Sequence, residues 1–265
     1  VFVAILSFLI VIALGAIGYF FVYPLFVGEI PPATPPPTAS QLPESEIPEV
    51  PVLPGEEATS TEEAGTPETP VVDPFDGVQG LTSHRSLFRT SADTVTEVIL
   101  TAPTRTAFTS ALPSGSVATS LFSEVVLKMP SGAVLPFSTL APLLAPTFFT
   151  PARLASFDDD ATYFTYAAAN GTWLGIVVPL KAGVPIGPVQ DGMSALQADP
   201  ALANFFLENP GEQGVWADGS VRTKPTSQVS FEAPGATFSY TWFDRNLLIS
   251  TNLTGAGTAA ERLGF

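Results

Sequence analysis

The chain has 265 residues, ten of them basic and twenty-five acidic, for a formal charge of −15, with 27 prolines, one histidine and no cysteine. Without cysteine there are no disulfides, thiol nucleophiles, Fe–S clusters or cysteine-ligated zinc, and a lone histidine rules out a histidine-rich metal centre within one chain. The acidic balance argues against a nucleic-acid partner, which needs a clustered basic face to neutralise phosphates.

Val1 to Val27 contains no charged residue, and the first to appear is Glu29. A bilayer core of roughly 30 Å takes about 20 apolar helical residues, so residues 1–27 are read as a single transmembrane helix in contact with the lipid bilayer. A buried core helix of this length would show a polar face. A cleaved signal peptide would carry a shorter apolar stretch, typically about 7–15 residues, ending at a small-x-small site. Tyr19 and Tyr23 suit the headgroup level, and Pro24 marks the end of regular helix. Because the chain opens on valine, the reading also expects a preceding segment that carries the basic residues setting orientation.

Residues 28–77 have a different composition. Twelve prolines fall between Pro31 and Pro74 and eleven acids between Glu29 and Asp76, with no lysine or arginine among them. Most of the global acidity is therefore a property of this segment, because residues 78–265 hold fourteen acids against all ten bases. Such a stretch cannot bury enough apolar surface to offset its ordering entropy, and the reading is a disordered, extended acidic stalk. At about 3.1 Å per residue in polyproline II its reach is at most on the order of 150 Å, enough to lift a domain clear of lipid. Val50-Pro51-Val52-Leu53-Pro54 has the form of a proline-rich ligand, although a spacer explains the composition without a partner.

Apolar alternation and turn signals resume near Leu81, and residues 78–265 are read as one domain long enough to bury a core without staples. Strands are expected at Val95–Leu100, Leu121–Met129 and Val134–Phe137. A hairpin is expected at 162–178, turning at Asn170-Gly171, and a second at 237–251, turning at Asp244-Arg245-Asn246. The two hairpins resemble each other in order, but any two aromatic hairpins look alike over ten residues, and no duplication is inferred. The best helix follows Asp199 as cap and Pro200 in the first turn, ends at Pro210-Gly211, and carries Leu202, Phe205 and Phe206 on one face. Shorter helices are expected near 104–112, 138–144, 193–198 and 258–263. The fold class is α+β: an antiparallel sheet built from hairpins, with helices packed on one face.

Few residues offer chemistry. His84 is the sole candidate imidazole base, yet no Gly-x-Ser-x-Gly elbow accompanies it, and a turn or capping role is the expectation. Asp158-Asp159-Asp160 lacks the spaced ligands and glycine of a calcium loop and reads as a solvated turn. Lys128, Lys181 and Lys224 have no Ser-x-x-Lys partner and no phosphate-binding glycine loop. No metal and no cofactor is expected. Tyr163, Tyr166, Trp173, Tyr240 and Trp242 are the candidate ligand-binding residues, as an aromatic face for a glycan or peptide, although on alternating strands half of such residues face the core.

The functional expectation is a single-pass membrane protein holding an extracytoplasmic binding or structural domain on an extended stalk in a cell envelope, with an envelope glycan or protein as partner. The competing readings are a membrane-tethered hydrolase of wall or surface polymers and the sensor domain of a transmembrane signalling protein.

Overall fold

The computed structural model describes residues 73–265. The transmembrane helix expected at 1–27 and the stalk as far as residue 72 lie outside the described residues. Among the described residues no helix is long and apolar enough to cross a membrane. Packing begins before Val78. Asp73–Gly77 forms a turn in which the Val78 N–H donates to the Phe75 carbonyl at 2.9 Å, and the Phe75 ring is buried in the main core.

Among the described residues eight strands form one sheet: β1 (Thr94–Ile99), β2 (Leu121–Lys128), β3 (Thr162–Ala168), β4 (Gly171–Pro179), β5 (Gln213–Val221), β6 (Lys224–Phe231), β7 (Thr237–Phe243) and β8 (Asn246–Ser250). Their order is β1-β2-β3-β4-β8-β7-β6-β5. The α+β class holds, but the sheet is mixed, because β1 runs parallel to β2 while the other pairs are antiparallel. The cause is the connection between them. It includes helix α1 (Arg105–Ala111) and carries the chain back to enter β2 in the same direction, which a tight hairpin cannot do. Expected strand 134–137 is only a bridging position: Val134 bridges Leu81 and Lys128, and helix α2 (Phe137–Leu144) starts at once.

The expectation of helices on one face is corrected. The remaining helices among the described residues are α3 (Pro151–Leu154), α4 (Ile186–Asp191), α5 (Ser194–Gln197) and α6 (Leu253–Leu263). Neighbouring residues of one strand divide between two cores. Tyr163, Ile176, Val178, Leu247 and Ile249 join the larger core, beneath residues of α1, α2 and α5, and Phe164, Val177 and Leu248 join the smaller one, beneath α6. The central strands thus have two apolar faces, and each needs a cover. Helix α6 covers the second with small residues: Ala256, Ala259 and Ala260 are buried, and a Cβ on Gly255 would lie 3.0 Å from the Tyr166 Cβ. Its start is capped by Asn252, whose Oδ1 accepts the Gly255 N–H at 2.9 Å. On the same face Gly175 sits opposite Phe164, which occupies the space a side chain would take.

The expected helix after Asp199 is also corrected. It shrinks to a single 3-10 turn, Leu202–Phe205, after which Phe206 is extended (ψ 142°). Leu202, Phe205 and Phe206 are buried all the same, so the apolar stripe identifies core residues but not a helix. Asp199 has more than one task. Its carboxylate accepts the Ala201 N–H at 2.8 Å, and it also holds a distant loop through Thr147 Oγ1 (2.5 Å) and the Phe148 N–H (2.9 Å). The β3–β4 and β7–β8 hairpins flank the central β4–β8 pair, but their likeness stops there: β1 pairs parallel with β2, whereas β5 and β6 form an antiparallel hairpin.

Candidate functional site

His84 lies on the extended segment leading to β1, and the fold brings two distant carboxylates to it. Its Nδ1 is 2.5 Å from Asp160 Oδ1, and its Nε2 is 3.0 Å from Glu124 Oε1. Glu124 projects from β2 and is only 4% exposed. Burial pulls the imidazole pKa down, but the hydrogen bonds and charges of Glu124 and Asp160 outweigh it, leaving the pKa above the ordinary value of 6.5. Carboxylate oxygens only accept, so this geometry suits an imidazolium that donates from both nitrogens. Neither nitrogen is then free to accept a proton or bind a metal. The nearby Ser86 hydroxyl donates to Glu124 Oε2 at 2.9 Å rather than to the ring, so no nucleophile–base pair forms. Backbone bonds run the same way: Arg85 N–H donates to Asp160 Oδ2 (2.9 Å) and Leu87 N–H to Thr162 Oγ1 (3.0 Å). The cluster is a clamp fastening residues 84–87 to the sheet.

The acidic triplet is spent on structure. Asp159 accepts the Phe137 N–H through its carbonyl at 2.9 Å and the Ser138 N–H through Oδ1 at 3.0 Å, which secures the start of α2. Asp158 Oδ1 accepts the Asp160 N–H at 3.2 Å. The three carboxylates therefore point to three different partners, and among the described residues no group of three acidic or histidine side chains is placed to hold a metal ion.

The five aromatic candidates do not share one surface. Tyr163, Trp173 and Tyr240 are buried in the larger core, at 3%, 8% and 8% exposure. Burial, assisted by the charges of Asp159 and Asp160, pushes the Tyr163 phenol far above its usual range. Trp173 donates through Nε1 to Asn170 Oδ1 at 3.3 Å, within its own hairpin. Tyr166 is half-buried against α6. Tyr240 and half-buried Trp242 do come together, side by side on β7 and facing the same way.

These two residues form part of the floor of an open groove of about 560 Å³. Strand register builds that floor row by row. Asp218 on β5 stands opposite Ser227 on β6, Ser227 opposite Tyr240 on β7, and Tyr240 opposite Ile249 on β8. In antiparallel sheets opposed residues share a face, so one row passes from carboxylate to hydroxyl to phenol to apolar core. Next to this row Ser220 on β5 stands opposite Pro225 on β6, and Trp242 on β7 opposite Leu247 on β8. Towards β8 the sheet is roofed by helices; towards the β5 edge it is open. Gln190, Asp191, Ser194 and Gln197, from α4 and α5, form the facing wall. Gln197 Nε2 donates to the Tyr240 hydroxyl at 2.8 Å and so fixes wall to floor. Beside the floor, on the same face, Trp216 packs against Phe238 and Tyr240, with ring centroids 6.0 Å apart in both pairs.

The lining contains two carboxylates, two carboxamides, several hydroxyls and two aromatic rings, and no lysine, arginine or histidine. Sequence reasoning identified Tyr240 and Trp242 but missed Gln190, Asp191, Gln197, Asp218 and Ser227. Each of these reads as an ordinary surface polar residue, and strands β5 and β6 were themselves illegible. No protein-family model, curated protein or solved structure matches this chain.

Proposed function

We propose that this chain is a binding protein of a cell envelope, held in the membrane as a single-pass protein by residues 1–27 and extended outward on its acidic, proline-rich stalk. The folded domain acts outside the cytoplasm, and the groove between α4–α5 and strands β5–β7 is its ligand seat. One observation carries the binding part of this reading: the groove combines a floor bearing the half-buried Trp242 ring with a rim of convergent polar groups, in the size range of roughly 300–1,000 Å³ usual for ligand sites. The uncharged run of residues 1–27 and the proline-rich composition after it support the membrane and stalk parts. A hydrolase that used His84 as its base would need a free ring nitrogen, and both are already committed to carboxylates, which favours binding over His84-dependent hydrolysis.

The test is topological. Expressed in full in bacterial cells, the chain should pellet with membranes and resist extraction by alkaline carbonate. In spheroplasts, added protease should shave off the domain and leave a small membrane-held fragment. Recovery in the soluble fraction, or a domain protected until the membrane is opened, would sink the membrane and topology part of the proposal.

A further inference from the structure

We infer that the groove takes an uncharged, pyranose-rich glycan chain, one ring of which lies on Trp242 while its hydroxyls meet the rim. The inference rests on the reading of this groove as the ligand seat, and it specifies the ligand's chemistry.

Three properties of the lining point the same way. The first is charge. Asp191 and Asp218 are both exposed and no base faces them, so the groove repels uronic acids, phosphate polymers and nucleic acids. The second is the kind of polar group. Gln190, Gln197, Asp191, Asp218, Ser194 and Ser227 offer planar amides, carboxylates and hydroxyls, which together donate to and accept from the same ligand. A ligand bearing many hydroxyls, each both donor and acceptor, satisfies such a rim, whereas an apolar ligand would bury it unpaired. The third is the floor. Tyr240 is buried and bonded through its hydroxyl to Gln197, while Trp242 is half-buried on the same face of β7. The C–H face of a pyranose ring is apolar and carries slight positive charge, complementing the negative face of an indole, while the ring's equatorial hydroxyls point outward to the rim.

The groove is also open at the β5 edge, where Val215 and Asp218 are exposed, so a chain longer than the groove can run through it. A closed pocket would select a monosaccharide; this one accommodates an internal stretch of a polymer. A basic peptide is the rival occupant, because two carboxylates without a base would also attract lysine. The dispersed amides and hydroxyls, which a lysine side chain cannot engage together, favour the sugar.

The experiment uses the full chain in a mild non-ionic detergent, with binding followed by tryptophan fluorescence and calorimetry. The probes are a β-1,4-linked N-acetylglucosamine hexamer, a β-1,4-linked glucose hexamer, a galacturonic acid hexamer and a decalysine peptide. At least one neutral hexamer should bind saturably and the galacturonate should not. Trp242→Ala should weaken that binding by at least about tenfold. Asp218→Ala and Gln190→Ala lie on the exposed rim, leave the core intact, and should each weaken it by about two- to tenfold. Decalysine binding that these rim variants abolish, with no neutral hexamer bound, would overturn the glycan inference and make the groove a cationic-peptide seat. Neutral-glycan binding that all three variants leave unchanged would overturn it as well. Because the assay is done in detergent, its outcome does not depend on topology: failure here leaves the membrane reading standing, and failure of the protease test leaves this one standing.

Discussion

Replacement of His84 by glutamine tests the clamp most directly. The imidazolium neutralises Glu124, whose side chain is 5% exposed, and Asp160, whose side chain is 27% exposed. Glutamine removes the charge and cannot bridge both acids, so Glu124 is left as an uncompensated buried carboxylate. Losing one partner of a buried pair costs about 3–5 kcal/mol. The cost here should fall at the lower end of that range, because Asp160 is partly solvated and a cavity of about 360 Å³ lies beside His84 and Glu124. Against a typical total stability of about 5–15 kcal/mol this is a large fraction. Adding Glu124→Gln to His84→Gln should recover much of the loss, because the stranded charge is then gone. The pH dependence has a definite sign. The folded-state pKa of His84 is raised above 6.5, so the clamp contributes fully below pH 6.5 and its contribution is lost as pH rises through the folded pKa. One proton limits the slope to about 1.4 kcal/mol per pH unit. As His84 is the sole histidine, whatever part of the dependence His84→Gln removes can be assigned to it. Urea unfolding followed by tryptophan fluorescence at pH 6 to 9 provides the measurement. The reasoning fails if wild-type stability is flat across that range, or if His84→Gln lies within about 0.5 kcal/mol of wild type.

Two further predictions concern packing. Gly175→Ala should destabilise by about 1–3 kcal/mol, because its Cβ would fall 1.9 Å from the Phe164 ring, itself enclosed by Phe88 and Phe122; Phe164→Leu in the same chain should restore part of the loss, and additive effects of the two changes would refute the contact. Phe75→Ala should cost about 3–5 kcal/mol in the same unfolding assay, and a change under 0.5 kcal/mol would show that the domain starts at Val78 after all.

Much of the fold could be read locally. The strand at Val95–Leu100, the strand at Leu121–Met129 and both aromatic hairpins follow from β-branched runs and turn residues, and they recur with small shifts in their ends. In the first hairpin the positive φ falls on Gly171 (128°) as β4 begins; in the second it falls on Asp244 (53°). Strands β5 and β6 escaped notice because their signal is weak. Gly214 and Gly219 interrupt one, Pro225 enters the other, a bulge shifts the register between Gln213 and Trp216, and β6 buries Thr226 and Val229 at a spacing that is not alternate. An edge strand open to solvent has no need of an apolar alternation, so its sequence carries none.

The candidate site divides in the same way. Tyr240 and Trp242 were visible because two large aromatics at alternate positions of a strand must share a face. Their partners were not, because Asp218, Ser227 and Gln197 meet them only through register and through the return of α5 over the sheet. His84 shows the same limit: in sequence it is a lone polar residue near the start of the domain, and only folding places Glu124, forty residues on, and Asp160, seventy-six residues on, against its two nitrogens. Composition and local pattern determined the class of the domain, most of its strands and which residues are apolar enough to be buried, because propensity and hydrophobicity act over a few neighbours. Tertiary structure alone decided the parallel pair, the second covered face, the charged clamp and the groove, because each depends on a distance between residues far apart in the chain.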